Sequence, residues 1–327
     1  MYLQHLDKLL EGCADKRVAV VGDLMLDRYI WGKVERISPE APVPVVNVVR
    51  RSHSLGGSAN VVHNLRALGA VAIPFGVVGA DPAAELVLGL LREAGISTQG
   101  VLKDEARPTT SKTRIIAHEQ HVTRIDEEST SPLRDSLRQE LVARLTALLP
   151  ELDALIFEDY DKGVLDAESI AGLRDAARAA GVLTSVDPKH RQFHAYGAVG
   201  LFKPNLKEFL GALGASRVSE SELETLGRDF QQRSACTELV VTRGSQGMSL
   251  FDEEGRHSTL PALRGAIVDV SGAGDTVIAA LTLARCQGYK LSTAARFASL
   301  CAAQVCGELG AVPVKTDEVL KLNEFLG

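Results

Sequence analysis

Short apolar runs that end in a polar or glycine cluster recur along this chain with amphipathic helical patterns between them, and that alternation leaves few folds open. The runs are RVAVVGD (Arg17 to Asp23), ALIFEDY (Ala154 to Tyr160), LTSVDPK (Leu183 to Lys189), GLFKPN (Gly200 to Asn205) and ELVVTRG (Glu238 to Gly244). Between them SANVVHNLRALG, AAELVLGLLREAG, LRQELVARLTALL, AESIAGLRDAARAAG and SELETLGRDFQQR repeat apolar residues every three or four positions, and several close on glycine. Strand alternating with helix predicts an α/β fold, a mostly parallel central sheet with helices on both faces. Such sheets bind ligands at the carboxyl ends of their strands. The clusters Gly22-Asp23, Glu158-Asp159, Asp187-Pro188-Lys189, Lys203-Pro204-Asn205 and Thr242-Arg243-Gly244 are therefore expected to share one crevice.

Two β-rich stretches without a paired helix break the alternation, PVPVVNVVRR (Pro42 to Arg51) and TSKTRIIAHEQHVTRID (Thr110 to Asp126). They predict a small β lid over the crevice, drawn from about residues 33–55 and 108–126, whose exposed apolar face favours a homodimer. The chain shows no internal repeat and no low-complexity linker, so residues 1–327 are expected to form one domain with this appendage.

With 45% hydrophobic residues in 327, the chain can bury a large core. A net charge of −6, with basic residues scattered, argues against a nucleic-acid partner and against an anionic membrane surface. No apolar run approaches the roughly 18–20 residues that span a bilayer. The start MYLQHLDKLLEGCADKR carries acids where a signal peptide needs a basic, then apolar, stretch, so it reads as an amphipathic helix of a cytoplasmic protein. Cys13, Cys236, Cys286, Cys301 and Cys306 are odd in number and lack CxxC spacing, and are expected to be buried thiols. His53, His63, His118 and His121 show no metal-ligand spacing.

The stretch DVSGAGDTVIAALTLARCQG (Asp269 to Gly288) sets glycines and an acid directly before a long apolar run. A helix beginning there presents free N–H groups and its positive dipole end at Gly272, Ala273 and Gly274, an anion site. Asp275 is then either a first-turn dipole partner or a general base that takes the proton of a hydroxyl attacking a phosphoryl group.

GGSAN (Gly56 to Asn60) and DVSGAGD (Asp269 to Asp275), with KPNLKEF and VVTRGSQGMSL in order between them, resemble the signatures of the ribokinase-like, or PfkB, sugar kinases, and the resemblance covers essentially the whole chain. Val270 departs from it where many members carry threonine. The resemblance implies a ribokinase-like fold, ATP and Mg²⁺ as cofactors and a small-molecule sugar acceptor. It implies that Asp275 is the base and that Gly272, Ala273 and Gly274 stabilise the transferred phosphoryl group. Asp23 and Asp27, in GDLMLD at a strand end and just beyond it, would bind sugar hydroxyls, as would Asn60, with Gly56 and Gly57 letting the backbone approach. Asn205 and Glu208 would lie near the nucleotide phosphates and Mg²⁺, with Glu208 as the metal residue, and Thr242, Arg243 and Gly244 would border the nucleotide.

VVGDLMLDRYIWGKVERISPEAPVPVV, DPK and DVSGAGDTV are similar, more narrowly, to bacterial kinases of D-glycero-β-D-manno-heptose 7-phosphate. That resemblance implies phosphorylation at the anomeric C1 hydroxyl on the way to ADP-heptose and the lipopolysaccharide core. Because nothing follows Gly327, a kinase without a fused nucleotidyltransferase is expected. An acceptor that already carries a phosphate needs local cations, and Lys112, Arg114, Arg124 and Lys189 are the candidates. Another sugar or nucleoside kinase of this fold, or a sugar-binding regulator without turnover, remains open. The sequence has no GxGxxG after its first strand and no GxxxxGK[ST], which disfavours a dehydrogenase and a Walker-type NTPase.

Overall fold

The computed structural model describes residues 3–118, 120–263, 265 and 267–326. Met1, Tyr2 and Gly327, at the ends of the expected domain, and Glu119 in the lid stretch lie outside the described residues. The strands are β1 (Arg17–Gly22), β2 (Leu24–Ile37), β3 (Pro44–Gly57), β4 (Val71–Val78), β5 (Val101–Lys103), β6 (Ser111–Ala117), β7 (Gln120–Glu127), β8 (Ala154–Glu158), β9 (Leu183–Asp187), β10 (Leu201–Phe202), β11 (Glu238–Thr242), β12 (Met248–Phe251) and β13 (His257–Leu260). The helices are α1 (Leu6–Glu11), α2 (Ser58–Ala67), α3 (Pro82–Glu93), α4 (Asp135–Leu148), α5 (Ala167–Ala179), α6 (Leu206–Ala212), α7 (Glu220–Ser234), α8 (Ala273–Cys286), α9 (Leu291–Cys306) and α10 (Thr316–Phe325).

The large sheet has the order β13-β12-β11-β10-β9-β8-β1-β4-β5. Pairing is parallel from β5 to β11, and β12 and β13 add an antiparallel margin. Strand β1 shows why the sheet needs helices on both faces. Val18 and Val20 point into an apolar cluster with α2, α8 and α9, whereas Ala19 and Val21 point into a second cluster with α4 and α5. Among the described residues no helix is long and apolar enough to cross a membrane. The five cysteines are free thiols; Cys13, Cys236 and Cys301 are buried as expected, and Cys286 and Cys306 only partly so.

The chain leaves β1 through Asp23 alone and enters β2, the longest strand together with β3 at 14 residues each. A second sheet, ordered β3-β2-β6-β7, follows from this. Asp27, expected just beyond a strand end, is therefore itself a strand residue, paired in register with Lys112 of β6. The GLFKPN run is shorter than it reads, since only Leu201 and Phe202 pair and Lys203 already leaves the sheet.

The carboxyl ends of β1 and β8 meet where Gly22 lies in register with Glu158. A Cβ on Gly22 would sit 1.8 Å from the Glu158 carbonyl oxygen. Gly22→Ala is therefore expected to force the two strands apart and cost about 1–3 kcal/mol. Denaturant unfolding checks this; an unchanged midpoint would show that the sheet relaxes without penalty.

Candidate active site

Asp23 closes β1, and its main chain joins three elements: its N–H donates to the Glu158 carbonyl at 3.3 Å and its C=O accepts from Ser58 at the start of α2 at 3.0 Å. Its carboxylate is buried and accepts from the backbone N–H groups of Tyr160 (2.8 Å), Lys162 (3.1 Å) and Val164 (3.3 Å). Burial raises its pKa, and those three donors and Lys162 oppose the rise. Asp23, expected to read a sugar hydroxyl, holds the turn after β8 through these bonds. That turn needs the hold, since Asp161 and Gly163 both take positive φ, 58° and 84°.

Asp27, the second expected sugar ligand, accepts from Arg114 Nη1 at 2.6 Å with both groups nearly buried. The expected glycines serve this packing. A Cβ on Gly56 would lie 2.8 Å from Asp27 Oδ2, and Gly57 has φ of 55° with the Asp23 carbonyl 2.5 Å from its Cβ position. The closeness of Gly56 and Gly57 to Asp23 and Asp27 is thus required by the fold itself, apart from any ligand.

Asp275 lies in the first turn of α8, 4% exposed. Gly272 precedes the helix in the left-handed region at φ 77°, ψ 0°, and a Cβ there would come within 2.5 Å of Asn60 Nδ2. Helix geometry leaves the first amides of this turn, those of Ala273, Gly274 and Asp275, without i−4 partners inside the helix. Both carboxylate oxygens of Asp275 accept: Oδ2 from Asn60 Nδ2 at 2.8 Å and Oδ1 from the Tyr160 hydroxyl at 2.7 Å. Burial raises its pKa to about 6 against those two hydrogen bonds, with Asp187 adding to the rise and Lys203 opposing it. Asn60, expected to meet a sugar hydroxyl, donates to the acid.

Glu158 and Asp187 end the adjacent strands β8 and β9, and one carboxylate oxygen from each lies within 4.8 Å of one on Asp275 and of one another. Lys203, 2% exposed, pairs with Asp187 at 2.7 Å and faces the first turn of α8, 3.7 Å from the Cβ position of Gly274. Glu158 is fully buried with neither oxygen hydrogen-bonded among the described residues, and burial together with the charges of Asp187 and Asp275 drives its pKa well up. Buried carboxylate oxygens without donors, beside two further carboxylates, are the donor set of a hard divalent cation such as Mg²⁺. Glu208, the expected metal residue, fits less well. Its Oε2 closes a capping box with the Asn205 amide at 2.9 Å and its Oε1 accepts from Lys189 at 2.5 Å.

Of the expected nucleotide residues, Asn205 and Thr242 meet through a parallel bridge, and Gly244 has φ of 56° in the following turn. Arg243 pairs with Glu220 and donates to Ser249. The expected phosphate cations differ in the same respect. Arg114 is committed to Asp27, and Arg124 makes two bonds to Asp126 at 2.8 and 2.9 Å near the surface. Lys189 is committed to Glu208; burial opposes its charge, but Asp187 and Glu208 outweigh it and raise its pKa. Lys112 has no carboxylate partner among the described residues, is depressed in pKa by burial, and sits 5.3 Å from the Tyr160 ring centroid. The face of the second sheet carrying Asp27, Tyr29, Lys112 and Arg114 turns to the crevice, where the Tyr29 hydroxyl accepts from the Ala311 amide at 3.4 Å.

Glu158, Tyr160, Asp187 and Lys203 complete the site and were not singled out by motif. Their signal was present in the polar clusters that end the strands, and the parallel sheet brings these together.

Comparison with known proteins agrees with this geometry. The pfkB family carbohydrate kinase pattern matches residues 15–317. The chain is 39% identical over 302 residues to the bifunctional protein HldE of Wolinella succinogenes, covering 92% of this chain and 63% of that one. It is 40% identical over 310 residues to the protein of the same name from Helicobacter pylori, covering 94% and 67%. The chain thus spans about two-thirds of the length of these relatives. In fold it is similar to Escherichia coli phosphofructokinase-2 in complex with potassium (TM-score 0.78, 18% identity, 95% and 99% coverage). It is similar also to Arabidopsis thaliana ribokinase complexed with ribose and ATP (TM-score 0.75, 19% identity, 95% and 99% coverage). A ribokinase-like α/β fold, the matched family and a buried acid at a glycine-flanked helix start lead to one conclusion: the chain belongs to the pfkB family of carbohydrate kinases and is an ATP-dependent sugar kinase.

Proposed function

We propose that the protein transfers the γ-phosphoryl group of ATP to the anomeric C1 hydroxyl of D-glycero-β-D-manno-heptose 7-phosphate, giving the 1,7-bisphosphate that leads to ADP-heptose for lipopolysaccharide. The observation that carries the phosphoryl transfer is Asp275, a buried acid held by two donors at the anion-binding start of α8. The identity of the sugar is supported by the segment from Val20 to Val46 and by the similarity to the HldE proteins.

In this reading Asp275 takes the proton of the acceptor hydroxyl as its oxygen bonds to the γ-phosphorus and the bond to the ADP oxygen breaks. The amides of Gly272, Ala273 and Gly274, with Lys203 beside them, stabilise charge on the phosphoryl oxygens. Asn205 and Thr242 border the nucleotide, and Asp27 faces the acceptor. Glu158 and Asp187 would hold Mg²⁺, which would neutralise phosphate charge when bound. The exposed apolar residues of the second sheet, among them Val49 and Ile125, pair two copies into a homodimer. Light scattering at micromolar concentration is expected to give twice the chain mass, and a monomer with full activity would reject the pairing.

Asp275→Asn is expected to lower kcat about 10²–10⁴-fold. The base works only when ionised, so with its pKa raised to about 6 the wild-type kcat/KM should be level above that pH. Below it the rate should fall about tenfold per pH unit. A variant with near wild-type turnover, or a flat profile down to pH 5, would remove Asp275 from the chemistry.

Lys112 is the cation best placed to read an acceptor phosphate, because among the described residues it makes no ion pair with a carboxylate. Unphosphorylated heptose is expected to be a far poorer substrate than its 7-phosphate, and Lys112→Ala to cost about 10–150-fold with the phosphosugar alone. Parallel assays of the two sugars give the answer. Equal use of both, with the gap unmoved by the substitution, would leave a general sugar kinase, and absence of ADP release with every sugar would leave a binding protein.

A further inference from the structure

The roles assigned above leave Tyr160 unused, although it makes one of the two hydrogen bonds to the base. Its hydroxyl donates to Asp275 Oδ1 at 2.7 Å, opposite the Asn60 amide on Oδ2 at 2.8 Å. Two ammonium groups lie over its ring, Lys189 Nζ 4.8 Å and Lys112 Nζ 5.3 Å from the centroid. Its backbone is fixed as well, since its N–H donates to the Asp23 carboxylate at 2.8 Å.

We propose that Tyr160 is a positioning residue for the base: its hydroxyl, held in place by the ring's contacts and the Asp23-anchored backbone, locks the rotation of the Asp275 carboxylate so that a lone pair faces the acceptor hydroxyl. The inference rests on Asp275 being the base of the sugar kinase, and not on which sugar is used. The argument is mechanical. A carboxylate turns about its terminal torsion, which is broad and has no staggered wells. One donor leaves that rotation partly free, whereas donors on both oxygens from separate elements fix it. Asn60 comes from α2 and Tyr160 from the turn after β8, so the two donors reach the carboxylate from separate elements. Each oxygen keeps a further lone pair, so the acceptor hydroxyl can bind without displacing either donor.

The geometry also separates the hydroxyl from the ring. Two cations contact the ring face, contacts worth about 0.5–2 kcal/mol each. Phenylalanine keeps these contacts and the packing and loses only the bond to Asp275, so Tyr160→Phe removes one interaction from an otherwise preserved site. If the phenol were only a buried polar group satisfied by a nearby acid, that loss would leave the rate of the chemical step unchanged.

The experiment is a kinetic double-mutant cycle with ATP, Mg²⁺ and the phosphosugar acceptor on wild type, Tyr160→Phe, Asp275→Asn and the double variant. If heptose 7-phosphate is not consumed, the same four proteins are assayed with whichever phosphorylated sugar of a panel the wild type turns over, so failure of the sugar assignment is read separately. Expected is a fall in kcat of about 10- to 100-fold for Tyr160→Phe, KM for both substrates within about twofold of wild type, and no further fall when the substitution is made in Asp275→Asn. An unchanged kcat, a change confined to KM, or the same fold-loss with and without the base would each overturn the proposal. So would full activity of Asp275→Asn, because the residue that Tyr160 is proposed to orient would then have no part in the reaction.

Discussion

The geometry of the site depends on one buried carboxylate, that of Asp23. An isolated carboxylate is costly to bury, and three backbone N–H groups of the turn after β8 offset that cost. The same residue, through its own main chain, ties β1 to β8 and to the first residue of α2. Asn60 and Tyr160, the two groups that hold Asp275, are thereby referred to a single point although about a hundred residues of chain lie between them. Asp159 belongs to this junction too. Burial and the neighbouring Asp23 raise its pKa to about 7, against hydrogen bonds from the Asp161 amide and the Tyr196 hydroxyl.

Around that junction the fold concentrates negative charge. Glu158, Asp187 and Asp275 share a few ångströms of buried space, with Lys203 as the nearest compensating cation and Lys189 beyond it. Burial and mutual repulsion raise the pKa of Glu158 and of Asp275, so the arrangement opposes full ionisation of all three. Such a cluster lowers the stability of the folded chain and is retained where ligands supply the missing charge. In the proposed reading, a phosphoryl group and a divalent cation would meet that demand.

The alternation of apolar runs and helical patterns contained five strands of the large sheet, β1, β8, β9, β10 and β11, and the placement of the strand-end clusters followed from it, because a parallel sheet aligns the carboxyl ends of its strands. The glycine turn and Asp275 were equally legible, being local: Gly272 needs positive φ and the acid follows it by three residues. Side-chain partners between distant segments were not legible. Nothing near Arg243 names Glu220, nothing near Arg114 names Asp27, and nothing near Asp23 shows that its oxygens face a turn 137 to 141 residues away. Strand β2 was missed as a continuous element for another reason. The second sheet is covered on one side only along much of its length, so β2 mixes Lys33, Glu35 and Arg36 with Trp31 and Val34 and has no long apolar run. The strands β12 and β13 at the margin of the large sheet were missed because four residues each are too short to carry a pattern.

The second sheet joins the body through a single residue between β1 and β2, and with no residue at all between β3 and α2. Its root therefore has no slack on that side, while β6 and β7 are attached by longer segments before Ser111 and after Glu127. Any displacement of this sheet is then a bend or twist pivoting about Asp23 and Gly57 and growing with distance from them. Lys112, in register with Asp27 near the root, travels least, whereas the tips around Ile37 and Ala117 travel most. A change in length or surface at the outer half of the sheet thus leaves the contacts at its root, Asp27 and Lys112 among them, in place.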